Sequence, residues 1–410
     1  MGAEGRAWAS LAALGALFFL ITAGTFTSLG VVLPDMVAAL KWDWGRAGLG
    51  FTLMGVACGL ASYAPALTIR TLGVRTTLIL GGLISAAGFV CLYAAQGVGL
   101  YWAGTVLAGV GFALVAIIPG TFVLARAFSH RSAAFGAYFT IGALGGVAGP
   151  WFYFAVKAVA HDWRAYWLVL AVATPLLALF AALVVEGGKP GPTEATTDGG
   201  SEDGPVFRTR ADWTVRAALA TPQFWIVTAA YTAYLLCETT VNGLSVAHLS
   251  QRGIAPAVAG GVLSLQALIS AGARALGGAA GERIEPRRLV IYALAAVAVG
   301  IGALALARGW PLMLTYAVGV GVGYGVSNLA ATVLLLNYFG RRRNLELFSI
   351  MCLVSTLAAA GPWLGGLARD RLGGFEAAFW MFAAITAAVL VAVALMRPPR
   401  FAQKAASPLP

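Results

Sequence analysis

Charge is what this sequence has least of. Only 10% of its 410 residues are Asp, Glu, Lys or Arg, against about 25% in an ordinary soluble domain. Hydrophobic residues make up 60%, so most of the chain must meet lipid or the inside of a helical bundle. Cysteine is also thin. Cys58, Cys91, Cys237 and Cys352 sit singly in apolar runs, with neither CxxC nor metal-ligand spacing, which excludes a disulfide frame and reads them as small core residues. The histidines, His130, His161 and His248, are too scattered to form a metal constellation. No Walker motif, dinucleotide fingerprint or Ser-His-Asp arrangement occurs. The expectation is no enzyme, no cofactor and no metal.

The charge that is present is unbalanced, at net +11. The basic residues fall in short loops between apolar runs rather than on one surface, which argues against nucleic acid and follows the positive-inside rule. The first apolar run, Trp8 to Leu33, carries no charge and far exceeds the ~7–15 residues of a signal-peptide core. It reads as a membrane span. Further spans of about 20 residues fall near 47–69, 76–97, 100–125, 133–157 and 165–185. After a polar break they resume near 222–247, 256–281, 289–307, 311–336, 345–367 and 375–396. Most of the 27 Lys and Arg then lie on the side of the two chain ends. This predicts a multi-pass protein of the cell (inner) membrane, monomeric, with both termini cytoplasmic.

The break is rich in Gly, Pro, Thr and acidic residues and cannot bury a core. The expected organisation is a six-helix bundle over 1–185, a cytoplasmic linker over 186–221, a second bundle over 222–396 and a tail over 397–410. Within the linker, 211–219 reads as a short amphipathic helix on the membrane surface.

The halves repeat. Gly109-Val110-Gly111-Phe112 recurs 212 residues later as Gly321-Val322-Gly323-Tyr324, and Gly149-Pro150-Trp151 as Gly361-Pro362-Trp363. Arg75 and Arg131 match Arg287 and Arg343 at the same offset. The fold class is therefore an all-α membrane protein of twelve helices in two six-helix pseudo-repeats, with a site at the midplane between halves.

Here the chain resembles the major facilitator superfamily. Its loop motif is best kept as Gly278-Ala279-Ala280-Gly281-Glu282-Arg283-Ile284-Glu285-Pro286-Arg287. In the first half Arg70 and Thr71 replace the motif's acid and base, while Gly73 and Arg75 persist. Within the superfamily the chain is most similar to the monocarboxylate and oxalate/formate transporters. Three features carry this: Arg274 in the eighth span, Asn337-Tyr338-Phe339-Gly340-Arg341-Arg342-Arg343 after the tenth, and Gly361-Pro362, Gly366 and Asp370 in the eleventh. The resemblance implies that Arg274 binds a carboxylate, that Tyr324 lines the substrate site, and that Glu282, Arg283 and the two Gly-Pro pairs, Gly149-Pro150 and Gly361-Pro362, serve gating. No lysine stands in the first or eleventh span, which makes a dicarboxylate needing two cations less favoured than a monoanion.

The residues themselves point to the same region. Gln266, Ser270 and Arg274 form a stripe of period four on one helix face. An arginine facing lipid costs at least ~2.5 kcal/mol, so Arg274 must face protein or a wetted cavity. Glu238 shares a face with Tyr231, Tyr234 and Asn242. Burial penalises the charged form of a glutamate at membrane depth, which makes Glu238 a candidate proton carrier; a permanent ion pair with Arg274 is the other reading. Tyr324, Asn328 and Thr332 are again spaced by four. The first half offers Phe26, Phe51, Met54 and Phe112, with Thr25, Thr27 and Ser28 as its hydroxyls. Gly142-x-x-x-Gly146, Gly277-x-x-x-Gly281 and Gly319-x-x-x-Gly323 read as packing positions. His248 reads as a solvated residue of the outer end or as a sensor of external pH, and Glu346 as an ion-pair partner of Arg341–Arg343.

The sequence thus predicts a proton-coupled secondary transporter of a small organic anion, a monocarboxylate, with Arg274, Tyr324, Asn328, Ser270 and Asn242 at the substrate, Glu238 at the proton, and the lipid bilayer as surroundings. A proton-driven exporter of amphipathic drugs or metabolites is the second reading. A non-transporting membrane sensor is the third.

Overall fold

A backbone in lipid has no water to satisfy its N–H and C=O groups, so every span must close its hydrogen bonds internally. The computed structural model, which describes residues 3–128, 131–185, 209, 213–280, 284–340 and 343–399, is accordingly helical, with no strand among the described residues. Among the described residues, eleven helices are long and apolar enough to cross a membrane: α1 (Glu4–Leu40), α2 (Trp44–Leu72), α3 (Val74–Tyr93), α4 (Val98–Ala127), α5 (Ala134–Ala160), α6 (Arg164–Val184), α8 (Pro256–Leu276), α9 (Pro286–Leu306), α10 (Trp310–Phe339), α11 (Glu346–Leu372) and α12 (Glu376–Leu395). Between α6 and α8 stands α7 (Pro222–Gln251), equally long, whose hydroxyls, Glu238 and Asn242 dilute its hydropathy. It starts where Thr221 caps the N–H of Phe224 and Pro222 takes the first turn.

The repeat read from the sequence is present contact by contact. A Cβ on Gly109 would meet Met54 O of α2, and one on Gly321 would meet Gln266 O of α8. Gly111 lies on Ser85 of α3 and Gly323 on Val297 of α9. Each pair is related by the same 212 residues. Across the halves, Gly48 meets Pro362 and its counterpart Gly260 meets Pro150, the counterpart of Pro362. The expected Gly319-x-x-x-Gly323 pair faces α9, while Gly321 and Gly325 face α8, so α10 is pressed into two neighbours at once.

One irregularity breaks the register. Ala23–Thr27 of α1 winds as a π-helix, which adds a residue to the turn. Ser28 therefore bonds back five residues to Ala23 O, whereas its counterpart Thr240 bonds back four, to Leu236 O at 2.6 Å. Tyr166 of α6 also donates to Ala23 O, at 3.1 Å.

The halves meet toward the ends of the helices that lie away from the linker. Gly48 faces Pro362 O, Gly366 faces Trp44 O, and Gly30 faces Asn242 O, each too close to admit a Cβ. Both oxygens of Asp370 in α11 accept N–H groups at the start of α2, from Trp44 at 3.1 Å and Gly45 at 2.7 Å, so α11 caps α2 across the seam. On the other flank Gly260 of α8 packs on Phe154 and Pro150 of α5. Farther along α2, Gly55 and Gly59 face Ala359 and Thr356 of α11, and beyond them Leu60, Tyr63, Leu67 and Leu72 are exposed. Among the described residues the tightest approaches between the halves fall toward the far face.

Two local expectations are corrected. The helix foreseen at 211–219 is confined to Val215–Leu219, and Trp213 before it packs edge-on against Phe339 of α10 rather than lying on a membrane surface. His248 is neither solvated nor surface-facing: it is buried, 3.0 Å from Leu304 O, beside Phe379. Arg343 and Glu346 pair at 2.8 Å as foreseen. Glu282, Arg283 and Gly281 lie outside the described residues.

A methyl on Gly48 would stand 2.2 Å from Pro362 O, and backbone cannot swing aside. Gly48→Ala should lower substrate counterflow in proteoliposomes about tenfold or more, the rate equivalent of ~1.4 kcal/mol, with normal insertion. Gly272→Ala, whose added carbon meets nothing within 4 Å, should match wild type. Equal activity of the two variants would show that the seam tolerates widening.

Candidate functional site

The second half gathers its polar groups on α7, α8 and α10. Gly325 presses α10 onto the backbone of Ser270 and Arg274, which draws Tyr324 and Arg274 to the same place. The Arg274 guanidinium carbon lies 5.5 Å from the Tyr324 ring centroid, within cation–π range. Its Nε is buried with no hydrogen-bond partner. Among the described residues no carboxylate lies within the 4.0 Å of an ion pair with Arg274.

Glu238 is 8% exposed and is held by neutral amides. Asn242 Nδ2 donates to its Oε1 at 3.2 Å, and Gln266 Nε2 to its Oε2 at 3.2 Å. The direct Glu238–Arg274 pair considered from sequence is absent here. Gln266 belonged to the stripe of four but was not among the expected site residues. Its period-four relation to Arg274 was the available signal, and only the crossing of α7 and α8 shows that it serves Glu238. The Gln266 Oε1 atom is itself buried and unpartnered.

Around this pair the rings form a ladder. Tyr231 and Tyr234 stand 5.1 Å apart, and Tyr234 and Tyr324 5.7 Å. Asn328 Nδ2 donates to Tyr234 Oη at 3.1 Å. Thr332 is turned back onto Asn328 O at 2.8 Å. Ser270 is buried where Gly325 meets its carbonyl, so of the expected substrate contacts it is held in the α8–α10 seam. Arg274, Tyr324, Asn328 and Asn242 are only half-buried.

The first half answers with hydrocarbon. Phe26 lies 5.3 Å from Phe112 and 6.1 Å from Phe51. Phe112 holds the place of Tyr324 in the repeat, Phe26 that of Glu238, and Met54 that of Gln266. Phe51 reaches across to pack on Gly243 of α7. Of the hydroxyls foreseen on α1, two serve the helix itself, Thr25 on Ile21 O at 2.7 Å and Ser28 on Ala23 O, while Thr27 Oγ1 lies toward Gly146 of α5. The Gly-Pro pairs lie at the seam: Pro150 beside Gly260, Pro362 beside Gly48 and Gly243, with Gly149 against Ala23 O and Gly361 against Thr240 Oγ1.

Two six-helix repeats that meet at a seam, with polar groups gathered on the inner helices of one of them, are the arrangement of an alternating-access carrier. The family model of the Major Facilitator Superfamily matches residues 14–249 and again 230–409. The chain belongs to the Major Facilitator Superfamily. Within it the fold is shared with solved structures of low sequence identity. The nucleoside transporter NupG is 13% identical at a TM-score of 0.71, over 96% of this chain and 98% of that one, and a point mutant of it reaches 0.73. A bacterial homolog of the human lysosomal transporter Spinster, in an inward-facing and unoccupied conformation, is 15% identical at 0.67, over 95% of each chain. Among curated proteins no sequence matches. This Major Facilitator Superfamily member is thus a multi-pass transporter and not an enzyme, and the comparisons reach the superfamily rather than the monocarboxylate group.

The amide contacts of Glu238 give a stability test. Gln266→Leu would leave a buried acceptor one donor short, at about 1–3 kcal/mol, and should lower the melting temperature in detergent. Replacing both partners, Glu238→Leu with Gln266→Leu, should recover most of that loss. Strictly additive losses would mean that the two side chains do not interact.

Proposed function

We propose that this chain carries a small organic anion, a monocarboxylate, coupled to protons, by rocking two halves, 1–185 and 222–396, about the far-face seam. It acts as a monomer in the cell (inner) membrane with both termini cytoplasmic, so the far-face seam is the outer one. Glu282 and Arg283 take part in closing the cytoplasmic face, and Gly149-Pro150 and Gly361-Pro362 in closing the outer one.

The observation that carries the reading is Arg274, half-buried at membrane depth, with an unpartnered Nε and, among the described residues, no carboxylate at ion-pair distance. A guanidinium so placed lacks an anion, and a carboxylate supplies a charge-assisted, bidentate partner. Tyr324 backs the guanidinium, while Asn328 and Asn242 border the ligand. Drug antiport would need Arg274 neutralised by Glu238, and Glu238 is bonded instead to Asn242 and Gln266. With two neutral donors and no cation at ion-pair distance among the described residues, Glu238 is the group suited to take up and release the proton. The sensor reading predicts no counterflow at all.

Uptake into proteoliposomes, screened over monocarboxylates, dicarboxylates and a nucleoside with and without a pH gradient, tests the proposal. Arg274→Lys keeps the charge but loses the planar fork, so counterflow of the carried acid should fall about tenfold or more, or ~1.4 kcal/mol, with normal insertion. Unchanged saturable uptake would remove Arg274 from the site.

The coupling role is separable from the binding role. Glu238→Gln imitates the protonated acid, so exchange should persist while accumulation driven by a pH gradient fails. Wild-type accumulation in that variant would exclude Glu238 as proton carrier. Loss of exchange and expression together would identify it as a structural residue.

A further inference from the structure

We infer that the transported anion has an aromatic body: an arylcarboxylate whose ring lies between the Phe26–Phe112 pair and Tyr324. The inference rests on the monocarboxylate reading and narrows its substrate class. Phe112 and Tyr324 occupy equivalent positions of the repeat, on α4 and α10. Positions related in this way lie at one depth on opposite sides of the axis between the halves. Phe26, Phe112 and Tyr324 are all half-buried, whereas Phe51 and Tyr234 behind them are fully packed. The former three therefore present ring surface, and the latter two fix their orientation.

The ring geometry on both walls suits a third ring. Phe26 and Phe112 meet at 90° with centroids 5.3 Å apart, and Tyr234 and Tyr324 at 55° and 5.7 Å. Such walls offer faces and edges together, as offset and edge-to-face stacking require. The charge is confined to one end. Arg274 lies over Tyr324, while the hydroxyls of Thr25 and Ser28 on the opposing helix are spent on their own backbone. A short aliphatic acid would leave the rings uncovered.

Counterflow of radiolabelled phenylacetate, cyclohexylacetate, lactate and acetate in proteoliposomes tests this. Phenylacetate should exceed lactate and acetate by about tenfold or more, the range a ring-sized apolar pocket gives, and should exceed cyclohexylacetate by a smaller factor. Phe112→Leu should lower phenylacetate counterflow and spare cyclohexylacetate. Phe112→Tyr, which gives the first half the residue of the second, should raise 4-hydroxyphenylacetate relative to phenylacetate. Lactate or acetate carried as well as phenylacetate, in an Arg274-dependent manner, would overturn the aromatic assignment and leave the monocarboxylate reading standing. Transport of a nucleoside with no carboxylate carried would overturn both.

Discussion

Helices in a membrane gain little from the hydrophobic effect, because lipid is as apolar as their own side chains, and they associate where they can touch closely. In this chain that touch is backbone to backbone. Gly321 and Gly325 bring α10 onto Gln266 O and Ser270 O, while Gly319 and Gly323 bring its other side onto Ala296 O and Ala293 O. The alternating glycines of one helix thereby set the spacing of α8, α9 and α10 together. Arg274 meets Tyr324 because the helices that carry them have no side chain between them. The same constraint builds the far-face seam, where Gly48, Gly366 and Gly30 lie against carbonyls of the opposite half.

A seam of this kind is not continuously deformable. Carbonyls that fit only against hydrogen are either seated or parted, so the halves have discrete relative positions. Asp370 adds polarity to the closed state by accepting the first N–H groups of α2, and Trp44 stands edge-on to Phe375 beside it. On the linker side α2 passes through the tighter turn Ala61–Tyr63, and α4 breaks at Ala116, whose carbonyl takes the Tyr138 hydroxyl. The interruption of α2 falls just past the approach of Gly59 to Thr356 of α11.

Duplication supplied the scaffold, and the site arose where the copies diverge. Met54 and Gln266 have equivalent backbone roles under Gly109 and Gly321, yet one is a thioether and the other an amide bonded to Glu238. Phe26 and Glu238, and Phe112 and Tyr324, differ in the same direction. A symmetric cage would hold a symmetric ligand; this one has a charged wall and a hydrocarbon wall.

The sequence by itself determined the membrane class, the twelve spans and the 212-residue repeat, and it singled out Arg274 and Glu238 as candidates. Hydropathy, helical period and the cost of buried charge are local or one-dimensional properties, legible without coordinates. It also offered the Gln266–Ser270–Arg274 stripe without saying what each member does. Only the tertiary structure decided that Gln266 serves Glu238, that Ser270 is enclosed in the α8–α10 contact, and that His248 is buried against Leu304 O. The π-turn at Ala23–Thr27 was likewise invisible, since an added residue in one copy leaves the downstream offset of 212 intact. Each of these depends on which helix crosses which and at what depth, and that is fixed by close packing between segments far apart in the chain.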